Sequence, residues 1–274
     1  MERNTRFLGA CMGFGAQIQA CERGPVELFP KIDLFFPQKQ PNILATIQDF
    51  NFRFAHEVAH SFETGHFPVV IGGDHSIAIG TWNGVAKAKK NPLGLIWIDA
   101  HMDGHTNETT PSGAYHGMPL AALLGHGEKE IAQLLRPEPV LLPENVVLIG
   151  VRAYEEGEAL LLEKLGVRIY FIEEVKERGL FRVVQEAIDR IKTPHLGLSI
   201  DLDAIDPEEA PGVGSPEANG LSSDELIKAL SLFEERVEAF ELVEYNPERD
   251  IKFKTREIAY KILDAVLTPH GVLA

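Results

Sequence analysis

Acids and histidines alternate in three short segments of this 274-residue chain: Gly72-Gly73-Asp74-His75-Ser76, Asp99-Ala100-His101-Met102-Asp103 and Ser199-Ile200-Asp201-Leu202-Asp203. Carboxylates crowded into one place repel each other and raise their own pKa values unless a cation neutralises them. His75, Asp99, His101, Asp103, Asp201 and Asp203 together offer enough oxygen and nitrogen atoms for two divalent ions. The set holds no thiolate, and oxygen-rich coordination with some imidazole suits Mn²⁺ better than a structural zinc. Successive side chains of an extended backbone point to opposite faces, so Asp99, His101 and Asp103 are expected to converge on one side, as are Asp201 and Asp203. Any one of these acids could simply cap a helix or close a turn. Three such clusters, each behind an apolar run, read as a dinuclear metal site.

The elements that must position them follow from the hydrophobic pattern. Gly94-Leu95-Ile96-Trp97-Ile98 and His195-Leu196-Gly197-Leu198-Ser199-Ile200 read as strands buried on both faces. Strands are predicted near 5–10, 32–36, 67–72, 94–99, 145–151, 168–172, 195–201 and 238–245, with helices at 42–64, 75–90, 155–165, 180–192, 222–235 and 253–267. Ile43, Ile47, Phe50, Phe54, Val58 and Phe62 mark one face of the long helix. Such alternation predicts an α/β fold of three layers, αβα, around a mostly parallel, doubly wound sheet of about eight strands. Sites in these sheets lie at the carboxyl ends of strands, where the acids stand. The long irregular stretches 104–116 and 204–221 directly follow the proposed ligands and are expected to wall a substrate pocket.

Composition narrows the function classes. Lys plus Arg number 26 against 41 Asp plus Glu, a net charge of −15 that disfavours nucleic acid or an anionic membrane and favours a small cationic substrate. Only Cys11 and Cys21 occur, so no disulfide framework is indicated and a reducing, cytoplasmic compartment is expected. No apolar run reaches transmembrane length, and no repeat or linker divides the chain, which reads as a single domain over 1–274.

With Ser112-Gly113-Ala114-Tyr115-His116-Gly117 and Asp201-Leu202-Asp203-Ala204-Ile205-Asp206-Pro207 added, these segments resemble the signature motifs of the ureohydrolases, the arginase and agmatinase family. Gly150-Val151-Arg152 and Glu244-Tyr245-Asn246-Pro247 are weaker matches, and the resemblance runs over nearly the whole chain in unbroken order. The resemblance implies that His75, Asp99, Asp103 and Asp201 hold one manganese while His101, Asp99, Asp201 and Asp203 hold the other, with Asp99 and Asp201 bridging. Two cations about 3.5–4 Å apart lower the pKa of a water they share toward neutrality. The implied reaction attacks a guanidinium carbon and releases urea, with Asp103 stabilising the tetrahedral intermediate, His116 shuttling a proton and Glu244 orienting the guanidinium. Family members also assemble as homo-oligomers, trimers or hexamers.

Substrate choice rests on the pocket wall. The resemblance places His105, Ser112, Glu155 and Glu158 where the arginase branch recognises the α-amino and α-carboxylate groups of its substrate. His105 stands for a typical Asn, Ala114 for the Asn of Ser-Gly-Asn, and Glu155 for a usual Asp. The Ser-Gly-x-x-His-Gly-x-Pro run favours L-arginine, with agmatine or another guanidino compound as the alternative. Glu155 and Glu158 also fall in a predicted first helical turn, where the helix dipole alone favours acids. A competing motif, His56-Glu57-Val58-Ala59-His60, fits the H-E-x-x-H pattern of zinc metalloproteases. At about 100° per residue its histidines lie nearly opposite the apolar face of their helix and are expected to point to solvent.

Overall fold

Eight strands pair in one sheet. They are β1 (Asn4–Ala10), β2 (Asp33–Phe35), β3 (His66–Gly72), β4 (Leu93–Ile98), β5 (Leu141–Val151), β6 (Arg168–Phe171), β7 (His195–Asp201) and β8 (Val237–Val243). The central ones, β3, β4, β7 and β8, are almost wholly buried. The structure is a computed structural model, and it describes residues 4–90, 92–233 and 236–267. The strand order is β2-β1-β3-β8-β7-β4-β5-β6, and every pairing is parallel, so the expected "mostly parallel" sheet is wholly so among the described residues.

The period-two alternation of the strands sorts their side chains into two cores, as an αβα sandwich requires. On one face Ile71, Ile96, Ile98, Val147, Ile149, Leu198, Ile200, Phe240 and Leu242 pack under the helices Leu180–Arg190, Ser223–Leu230 and Lys254–Leu267. On the other, Val70, Leu95, Trp97, Val146, Leu148 and Ala239 pack under Ile43–Glu63 and Ala78–Lys89. The long helix buries Ile47, Phe50, Phe54 and Val58 and partly buries Phe62, as its spacing predicts, but Ile43, placed on the same face, is exposed in the first turn. Asn42 caps the helix by accepting the Ala45 N–H at 2.8 Å.

Several expectations need correcting. The helix placed at 222–235 ends at Leu230 in a turn through Phe233, and 234–235 lie outside the described residues. The one placed at 75–90 opens as a 3₁₀ turn, His75–Ile77, before the α-helix begins at Ala78. The strand placed at 238–245 stops at Val243 because Glu244 adopts φ 66, a left-handed conformation that no strand accommodates. The alternation invoked for the ligands also fails in detail. Strand β4 ends at Ile98, ahead of all three of its acids and histidine, Asp103 has φ 50, and Asp203 lies in the 3₁₀ turn Leu202–Ala204. The side chains converge through turns at the strand ends rather than along extended backbone.

Those turns share one rim. β3, β8, β7 and β4 are neighbours in the sheet, so the segments carrying His75, Glu244, Asp201 and Asp99 leave adjacent strand ends at the carboxyl edge. Gly73 is needed for this approach, since a Cβ there would fall 1.9 Å from the Met12 carbonyl oxygen. Its own carbonyl accepts the Glu244 N–H at 2.8 Å.

Candidate active site

His75 Nδ1 lies 3.2 Å from Asp99 Oδ2, 3.0 Å from Asp103 Oδ2 and 3.2 Å from Asp201 Oδ2. The nitrogen is buried and finds no properly oriented hydrogen-bond partner among the described residues. A single ring nitrogen cannot satisfy three carboxylates as a donor. The same geometry suits a cation: at bonds of about 2.0–2.2 Å and tetrahedral or octahedral angles, ligand atoms of one ion stand about 3–3.5 Å apart. His101 Nδ1 repeats the pattern at 3.1 Å from Asp203 Oδ2 and 3.5 Å from Asp99 Oδ1. Two potential ligand groups result, His75 with Asp99 and Asp201, and His101 with Asp99 and Asp203, and Asp99 belongs to both.

The electrostatics agree with a place built for positive charge. Burial, then repulsion from Asp99, pushes the Asp103 carboxyl up to about 6. Burial and the neighbouring aspartates also raise Asp201. Asp99 goes the other way: burial alone would raise it, but the imidazoles of His101 and His75 held against it outweigh that and keep it well below the usual range. Burial disfavours the charged rings of His75 and His101, yet the surrounding carboxylates lift both pKa values well above the ordinary imidazole range.

Residues behind the ligands fix them in place. His75 Nε2 meets Ser199 Oγ at 3.0 Å, and that hydroxyl donates to Glu241 Oε1 at 2.8 Å, with Trp82 Nε1 donating to the same oxygen at 3.2 Å. The ring of Trp97 stacks on His75 at 4.2 Å between centroids, and its Nε1 donates to Asp99 Oδ2 at 2.9 Å. Ser199 and Glu241 are opposite residues of β7 and β8, on the face that holds Trp97 and Trp82. The sequence does carry a signal for this network, a glutamate inside the apolar run Ala239-Phe240-Glu241-Leu242, because burying a carboxylate is costly without partners. Arg152, in the sequence only part of a weak match, donates to the carbonyls of Asp203 at 2.7 Å, Ala204 at 3.1 Å and Glu217 at 2.9 Å. It thereby ties the loop after β7 to the end of β5.

A cavity of about 140 Å³ opens over the cluster. His75, His101, Asp103, Asp201 and Asp203 form its floor, and the two loops expected to wall it do so through His105, Ser112, His116 and Ser215. Glu155 and Glu158 complete the wall. Glu158 also accepts the Glu155 N–H at 3.0 Å, the contact of a capping box, so the pair caps its helix as well as lining the cavity. His116 Nδ1 stands 3.1 Å from Glu244 Oε1. Burial would lower the imidazole pKa, but hydrogen bonding and charge from Glu244, with Asp74 and Asp103 behind, raise it to about 9. Glu244 does not line the cavity directly. Its Oε1 also accepts the His75 N–H at 3.0 Å, and its Oε2 accepts the Cys21 thiol at 3.1 Å. Cys11 and Cys21 are both buried free thiols.

His56 and His60, by contrast, are exposed. His56 Nδ1 lies 2.7 Å from Lys87 Nζ and His60 Nδ1 lies 3.2 Å from Glu63 Oε2. No helix among the described residues is long and apolar enough to cross a membrane.

Comparison with known proteins places this architecture. The arginase family model matches residues 13–268. Arginase of Bacillus caldovelox is 44% identical over 227 residues, 81% of this chain and 76% of its own. Arginase of Brevibacillus brevis is 34% identical over 293 aligned residues, covering 97% of this chain and 98% of its own. The crystal structure of arginase from Bacillus subtilis superimposes with a TM-score of 0.88 at 36% identity, over 97% of this chain and 98% of that one. With a family match over most of its length and relatives at a third identity or more, the chain belongs to the arginase family and is a hydrolase of linear amidines.

Proposed function

We propose that this enzyme hydrolyses L-arginine to L-ornithine and urea with two Mn²⁺ ions per chain, as a single catalytic domain that works in a homo-oligomer. The observation that carries the reading is the buried His75 Nδ1, orphaned among carboxylate oxygens of three aspartates at 3.0–3.2 Å. His75, Asp99, Asp103 and Asp201 would hold one ion, and His101, Asp99, Asp201 and Asp203 the other. When bound, the pair supplies hydroxide at neutral pH and charge for the tetrahedral intermediate.

The protein's own groups do the rest. The floor aspartates are neutralised by the ions they would hold, so attraction of the arginine cation falls to the carboxylates left free, Glu155 and Glu158 in the wall and Glu244 behind His116. Asp103, at the edge of the ligand group and lining the cavity, would accept a hydrogen bond from the attacking oxygen and stabilise the tetrahedral intermediate. Glu244 orients the guanidinium by a charge-assisted hydrogen bond; to receive it, Oε1 gives up the His116 contact, which releases the imidazole to pass a proton to the departing amine. At the wall, Glu155 meets the α-ammonium directly, Glu158 backs it, and His105 with Ser112 receives the α-carboxylate.

Colorimetric urea release by Mn²⁺-loaded protein tests the proposal over L-arginine, agmatine, guanidinobutyrate and guanidinopropionate. The largest kcat/KM is expected with L-arginine. A preference for a compound lacking the α-carboxylate would move the assignment to another ureohydrolase, and absence of urea from all of them would overturn it.

A further inference from the structure

His105, Glu155 and Glu158 form a third group of potential ligands, set in the cavity wall apart from the aspartate floor. His105 Nε2 lies 2.8 Å from Glu155 Oε2 and 3.5 Å from Glu158 Oε1. The shorter distance alone is an ordinary ion pair. The longer one is beyond a useful hydrogen bond yet within the spacing of atoms that share one cation, about 3–3.5 Å. The ring of His105 and the carboxylate of Glu158 are nearly inaccessible, with side chains 7% and 3% exposed.

Each member is held from behind. Thr109 Oγ1 lies 3.1 Å from His105 Nδ1, the outer contact that orients metal-bound histidines. Glu158 accepts the N–H groups of Glu155 at 3.0 Å and Gly104 at 3.1 Å, one on each oxygen, leaving a lone pair free on each. Glu155 is 59% exposed and supplies the ligand nearest solvent, and the open cavity leaves room for water to complete the shell.

We propose that His105, Glu155 and Glu158 bind a third divalent cation of the zinc class, separate from the two at the aspartate floor. One imidazole and two carboxylates with open positions is a donor set that zinc accepts. The ion would sit where the proposed reaction places the substrate's α-ammonium and would exclude it by charge and by volume. Metal occupancy can be read whether or not that reaction is the right one.

Protein stripped with chelator, saturated with Mn²⁺, treated with Zn²⁺ and desalted should carry three metal ions per chain by elemental analysis, and His105→Asn should carry two. Two ions in wild type would overturn the proposal, as would three ions in both proteins, which would put the extra ion elsewhere. Should the variant fail to fold, zinc anomalous diffraction from the wild-type protein decides the matter. A peak bounded by His105 Nε2 and the two glutamates is expected, and its absence while the aspartate floor is filled would refute the site.

Discussion

Two regions of this chain present histidines beside carboxylates, and they behave as opposites. In the helix Ile43–Glu63, His56, Glu57 and His60 follow a familiar metal spacing within one helical turn. Their side chains disperse: Glu57 takes Arg6 Nη2 at 3.0 Å, His60 faces Glu63, and His56 lies against Lys87. At the sheet edge, His75 and Ser199 are 124 residues apart in the chain yet joined by a hydrogen bond, and His75, Asp99 and Asp201 converge in a buried cluster. Local spacing is a property of the helix, whereas convergence is a property of four adjacent parallel strands. Burial adds the second difference, because unpaired carboxylates out of water are costly enough to demand a cation.

The sharpest way to break this comparison is to remove a ligand from the buried cluster. Asp201→Ala should lower urea release by more than about 100-fold, since even outer partners of a metal ligand typically account for 10–100-fold. Elemental analysis should find fewer than two ions retained at the floor. Near-normal rates would remove Asp201 from the metal centre. A smaller loss is expected one layer out. Ser199→Ala deletes the hydroxyl between His75 Nε2 and Glu241, leaving the ring free to turn. Manganese affinity should fall by about tenfold or more, with kcat largely restored at saturating metal. A loss that metal cannot restore would make Ser199 more than an orienting group.

Protonation offers a gentler probe of the same wiring. His116 has its pKa raised to about 9 against burial, chiefly by its bond to Glu244. A free imidazole titrates near 6.5, so about neutral pH the folded protein binds a proton that the unfolded chain does not. This contribution to stability is full below about pH 6.5 and is lost as pH rises through about 9. Urea denaturation of the metal-free protein should therefore show the advantage of wild type over His116→Asn shrinking between pH 6 and pH 9.5. An advantage that stays constant over that range would mean that Glu244 does not hold the imidazole.

How far the sequence makes this architecture legible depends on the range of the interaction involved. Strands such as Leu93–Ile98 are plain because both faces are buried and the run is apolar throughout. The short helices Gly24–Leu28, Pro119–Leu123, Lys129–Ala132 and Ile172–Arg178 escape a sequence reading, being too brief to display a 3.6-residue period. The aspartates and histidines of the floor stand out because they lie at or shortly past the ends of strands. The joining of Ser199, Glu241 and Trp82 does not, since they meet only through strand register and through a helix laid over the same face, even though a glutamate inside an apolar run marks Glu241 by itself. The left-handed turns at Asp103 and Glu244, each costing about 1–2 kcal/mol for a residue with a Cβ, likewise follow from tertiary demands.

The smallest effect is expected where the local motif is strongest. Replacing His56 and His60 by Ala removes the imidazoles of the helical H-E-x-x-H pattern from positions that face water. The exposed pair His60–Glu63 contributes little, as surface ion pairs are screened by solvent and salt. Glu57 keeps its Arg6 partner, so the helix remains tied to β1 through the substitution. Alanine has the higher helix propensity, which offsets part of whatever the two imidazoles contribute to stability. Urea release and metal content should both stay within about twofold of wild type, a change well under 1 kcal/mol. Loss of activity in this double variant, accompanied by zinc-dependent peptide cleavage in the parent, would reverse the comparison and make the helix the catalytic element.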